Sequence, residues 1–198
     1  MVKYLIAGLV ALILAASSQS ASADWQAVEK IDPYLISGTT PPELYASIGD
    51  KGPKLLGTSS AIAHTNFKLT WTRKYQATDA GCSIVVARPK LIITYTLPKP
   101  SQKLPPDTQR RWDRFITGVE AHERVHGDMI KDLVRKIEAV SLGMTVPDDP
   151  KCSKIRAQLT QRLAQLSQEQ RQRSRDFDRL EMSNGGNIHQ LILQLLNP

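Results

Sequence analysis

The chain has 198 residues, 26 Lys or Arg against 19 Asp or Glu, a net charge of +7 and 41% hydrophobic residues. That apolar content at so modest a charge excludes an intrinsically disordered chain, and the length suits one domain with a real core. No nucleic-acid-binding motif accompanies the positive charge, which fits solubility and a loose association with anionic envelope surfaces such as cell-wall polymers or lipid head groups.

The first 23 residues, MVKYLIAGLVALILAASSQSASA, have the parts of a secretory signal. Lys3 supplies the positive start, residues 4–16 the apolar run, and Ala21-Ser22-Ala23 a small-residue cleavage site before Asp24. The run is too short and wrongly flanked to span a membrane, and no Cys follows it to carry a lipid, so no stable membrane anchor is expected. The prediction is a signal peptide at 1–23 and a single mature domain at 24–198, periplasmic or secreted after cleavage near Ala23. The only cysteines, Cys82 and Cys152, read as one disulfide in an oxidising compartment, because neither has a metal-ligand neighbour at short spacing.

Residues 25–37 read as extended structure ending in the Gly38-Thr39-Thr40-Pro41-Pro42 turn. Residues 42–48 read as a short helix and 49–57 as a Gly/Pro loop. Three runs of β-branched and aromatic residues follow, at 61–75, 82–87 and 91–97, with a turn at 76–81. They predict a small antiparallel sheet. His64, alone in the first run, reads as a structural residue before it reads as a ligand. Residues 98–106 link this β-rich part (24–105) to a helical part (106–198).

The most informative stretch is 106–140, where Trp112, Phe115, Ile116, Val119, Met129, Ile130, Leu133, Ile137 and Val140 recur at spacings of three and four. This is one long amphipathic helix entered through Pro106-Asp107. At its middle stands HERVH, an HExxH pattern. His122 and His126, one turn apart, can grip a single Zn²⁺ from one helix face. Glu123, about 100° further round, borders the metal without ligating it and is placed to activate a zinc-bound water. A catalytic zinc needs a third protein ligand.

Residues 141–151, with Gly, Pro and Asp, end that helix, and a second long helix runs from Cys152 to about Leu180. Folded back as a helical hairpin, its far end comes level with HERVH. On a helical wheel Glu181 falls about 45° from the apolar direction and Asp178 about 105°. Glu181 and Asp178 are therefore the third-ligand candidates, with His189 beyond the glycines as a further one.

Taken together, YLISGTTPPEL, Gly52-Pro53, AHTNFKLTW, Gly81-Cys82, Leu97-Pro98, HERVHGD and FDRLEMSNGG occur in an order that resembles a bacterial family of predicted secreted zinc-dependent proteases, defined by a domain of unknown function (number 922). The resemblance covers most of the mature chain. It implies His122 and His126 as metal ligands and Glu123 as general base. Members of the family end the second helix with Tyr-Asp, Thr and then His-Gly. Here Phe177-Asp178 keeps the start, and Asn184 stands where that His is expected.

The sequence thus predicts an α+β domain, a small antiparallel sheet followed by the HExxH helix and a second long helix. The expected activity is that of a zinc metallopeptidase acting on a peptide, protein or peptidoglycan stem, with Zn²⁺ as cofactor and Tyr95 or Tyr75 as candidate oxyanion stabilisers. The rival expectations are a non-catalytic envelope protein with a structural or relic metal site, and a cell-wall-binding module.

Overall fold

A computed structural model describes residues 25–54 and 60–197, so the expected signal segment and its cleavage site lie outside the described residues. The β-branched runs form a long antiparallel hairpin of β2 (His64–Thr78) and β3 (Gly81–Pro100). Two further strands flank β3 on its other side. β1 (Val28–Ile36) pairs with residues Ile92 to Pro100 in parallel, and β4 (Thr145–Pro147) pairs with residues Gly81 to Ser83 in antiparallel fashion.

The fold class is α+β, but the four-stranded sheet is mixed and not antiparallel as expected. The cause is topological. β1 and β3 are separated by a helix and a strand, a crossover long enough to bring two strands side by side in the same direction.

The runs 82–87 and 91–97 also merge into one strand through Arg88-Pro89-Lys90. Pro89 sits opposite Trp71, between the end of the β4 pairing at Ser83 and the start of the β1 pairing at Ile92. In that gap no third strand asks for the N–H that proline lacks. α1 (Pro41–Lys51) precedes the hairpin, where a short helix is expected, and β4 follows the long helix. α1 is entered through a capping box in which the Glu43 carboxylate accepts the Thr40 N–H at 3.1 Å.

The long helix, α2 (Pro106–Ser141), lays Trp112, Phe115, Val119, Ile130 and Val134 on Leu91, Ile93, Tyr95 and Leu97 of β3. At Gly127, directly after HERVH, the helix receives the tip of the Tyr95 side chain. A Cβ there would stand 2.1 Å from the Tyr95 hydroxyl, so glycine is what lets the helix settle on the sheet. α3 (Ser153–Met182) runs back along α2. α4 (Asn187–Leu196), absent from the sequence reading, closes the far side by pressing Leu191 onto Gly118.

A second core gathers Cys82, Ile84, Ala87, Met144, Val146, Cys152, Ile155 and Leu159. Cys82 and Cys152 are joined in a disulfide with their Cα atoms 5.2 Å apart. The Asp149 carboxylate accepts the N–H groups of Ser153 and Ile155, so the first turn of α3 is doubly fixed. Among the described residues no helix is long and apolar enough to cross a membrane.

Candidate metal centre

Helix geometry puts His122 and His126 on the same side of α2, and that side faces α3. Contacts between the two helices run in opposite chain directions. Asp132 meets Arg173 at 2.6 Å, His126 meets Asp178, and His122 meets Glu181.

Three atoms converge at this seam. His126 Nε2 lies 2.7 Å from Asp178 Oδ1 and 3.1 Å from His122 Nε2, and His122 Nε2 lies 3.2 Å from the same carboxylate oxygen. Ligands about 2.0–2.1 Å from a tetrahedral ion stand about 3.3 Å apart, so this triangle is slightly smaller than the one such an ion would hold. Protons serve the triangle poorly. Each ring nitrogen can donate to Asp178, but then two N–H groups face each other 3.1 Å apart. A single cation satisfies all three atoms at once. Among the described residues, His122, His126 and Asp178 are the group that could hold a metal ion.

The surroundings orient these side chains. Ser174 Oγ lies 2.8 Å from His126 Nδ1; taking that ring N–H leaves the Nε2 lone pair turned to the centre. Phe177 stacks on the His122 ring, with centroids 4.7 Å apart and planes 17° apart, and meets the His126 ring nearly edge-on. His122 Nδ1 is buried without a hydrogen-bond partner, and the Glu181 carboxylate stands 3.7 Å from it. Glu181 is therefore behind His122, and Asp178 is the acid beside both Nε2 atoms.

Glu123 occupies the other flank of α2. It is buried, and Thr65 Oγ1 on β2 contacts its carboxylate at 2.5 Å and its carbonyl at 3.0 Å.

Electrostatics follow the geometry. Burial by itself would lower the His122 pKa, but the hydrogen bond to Asp178 and the charges of Glu123, Asp178 and Glu181 outweigh it and raise it. Burial would raise the Asp178 carboxyl, and the bonds from His122 and His126 instead hold it well below the usual carboxylate range.

The remaining sequence candidates lie elsewhere. His189 accepts the Gly185 N–H at 3.3 Å, and His64 is a β2 residue paired with Thr96. Tyr75 lies under the Arg156 guanidinium. Tyr95 donates to Glu29 at 2.9 Å, and burial, then that bond, pushes its pKa up to about 12.

The sequence reading missed Thr65, Ser174 and Phe177. Ser174 was findable, since it stands four residues before Asp178 and so shares its helix face. Ser174→Ala is expected to weaken divalent-metal affinity about 10–100-fold while leaving the melting curve of the metal-free protein unchanged, read by competition with a chromogenic chelator.

No curated protein and no solved structure matches the chain. Residues 31–186, which include the metal centre and most of the sheet and helices that build it, match a family described as bacterial protein of unknown function (DUF922). The chain belongs to that family.

Proposed function

We propose that this protein is an exported zinc-dependent hydrolase of peptide or amide bonds. The observation that carries the reading is that, among the described residues, the donor set stops at three. Two imidazoles and one carboxylate converge, and the Asp178 side chain is half exposed. Structural zinc sites close with four protein ligands, whereas catalytic ones keep a position free. Among the described residues, Glu181 stands 3.7 Å from His122 Nδ1 on the far side of that ring and Glu123 is turned to Thr65, so neither joins the three converging atoms.

Zinc bound there would lower the pKa of a water and polarise a carbonyl. Everything else falls to the chain itself. His122, His126 and Asp178 would hold the ion. Ser174 and Phe177 fix the rings. The Glu123 carboxylate would take the proton of the attacking water and return it to the leaving nitrogen, with the Thr65 hydroxyl holding its Oε2 in place. Export is supported by the signal-like start and by the disulfide, which suits an oxidising compartment.

The test is the metal content of the purified mature protein by elemental analysis, beside His126→Ala. About one zinc per chain in the wild type, lost in the variant, is the expected result. A wild type that holds no zinc, even after zinc is supplied, sinks the hydrolase.

A further inference from the structure

Residues 51–106 contain nine Lys or Arg and a single acid, Asp79, so the balance of this stretch, +8, exceeds the +7 of the whole chain. The sheet is therefore the seat of the protein's positive charge, and the strand period sorts that charge onto one face.

Core-facing positions of β3 are the odd ones, Leu91, Ile93, Tyr95 and Leu97. The even positions turn the other way. There the register sets Thr70 beside Lys90, Thr72 beside Arg88 and Lys68 beside Ile92, with Lys74 further along β2 and Lys30 beside Thr94 on β1. Lys30, Lys68, Lys74, Arg88 and Lys90 are all exposed, and none forms an ion pair among the described residues. Asp32, at the middle of β1 and two residues from Lys30, is the acid among these strand positions. Phe67, Trp71 and Tyr95 lie on the opposite, helical side.

We infer that this open sheet face docks on the surface of an anionic phospholipid bilayer. The cations are spread in two directions. From Lys68 to Lys74 the strand covers about 20 Å, and Lys30, Lys90 and Lys68 lie on three neighbouring strands. A planar array of this kind meets a planar array of phosphates, whereas a single linear polyanion would engage one row of it. The stacking aromatics that a single-stranded nucleic acid requires point to the other face. The exposed threonines between the cations can hydrogen-bond head groups, and the exposed apolar side chain at the edge of this face, Val28 beside Ile92, is a single small one, so the attachment is mainly electrostatic and reversible. It leaves the helical layer, with the metal centre, on the side away from the bilayer. The inference does not depend on the zinc reading, because partition is measured without any activity.

The experiment is flotation of the mature protein with vesicles of neutral phosphatidylcholine or of a phosphatidylcholine–phosphatidylglycerol mixture. Binding is expected to the anionic vesicles only and to be lost in high salt. Each cation at such a surface contributes about a five-fold factor, so Lys68→Glu/Lys90→Glu should lower partition about thirty-fold or more. Arg162→Glu/Arg171→Glu, the same charge change at exposed positions of α3, should lower it far less. An equal loss in the α3 variant would overturn the inference, because net charge and not this face would then drive binding. So would retention on immobilised polyphosphate without binding to anionic vesicles, which would assign the face to a linear polymer. Circular dichroism of both variants confirms that they fold.

Discussion

Glu123→Gln is expected to retain about one zinc per chain and to lose hydrolysis by about 10²–10⁴-fold, the range for removing a general base. The amide keeps the shape of the carboxylate, and its carbonyl oxygen can still accept from Thr65, so neither the helix nor the junction with β2 is disturbed. What disappears is the ability to take a proton. The comparison variant is Asp178→Asn, which leaves Glu123 untouched and acts on the donor triangle, so there metal affinity should fall first and activity with it. Metal content and peptide hydrolysis measured on the same preparations separate the two. An active Glu123→Gln protein would remove Glu123 from the chemistry, whatever the metal does.

The largest effect on stability is expected from the disulfide. Cys82 and Cys152 are 70 residues apart, and a cross-link closing a loop of that length stabilises by roughly 4 kcal/mol on the chain-entropy account. Cys82→Ser/Cys152→Ser should therefore melt about 10 °C lower, given about 2–4 °C per kcal/mol for a domain of this size. The wild type under reducing conditions should match the variant. A melting temperature that did not move would mean that β4 and the Asp149 contacts alone fix the start of α3.

What could be read from the sequence, and what could not, has a physical pattern. HERVH could be placed on the inner side of a helix because Trp112, Phe115, Val119 and Ile130 bury a continuous stripe around it. A stripe that wide survives small errors of phase. α3 has no such guide. Its buried side chains are Ile155 and Leu159, both near its start, and a direction extrapolated from there to residue 178 accumulates error at every turn. The extrapolation favoured Glu181 over Asp178, while in the structure Asp178 touches both Nε2 atoms. A half-exposed carboxylate lies at the flank of an apolar face and not at its centre, which is where the helical wheel sets Asp178.

The sheet failed differently. β-branched and aromatic runs located β2 and the two halves of β3, but such runs carry no information on which strand lies beside which. The parallel pairing of β1 is a long-range choice made by the crossover, and no local signal records it.

α3 is fastened at its beginning by a covalent bond and two backbone contacts, whereas its last turns rest on ion pairs, hydrogen bonds and the stacking of Phe177 on the two histidines. Mechanically it is a rod bolted at one end and leaning at the other. A bound ion would be the second bolt, joining residues 52 positions apart in the chain. The free end of the rod, from Arg173 to Met182, is then the segment whose backbone amides would exchange with solvent fastest in the metal-free protein and slow down most when metal is added. The ion would be a strut of the architecture as well as a reagent.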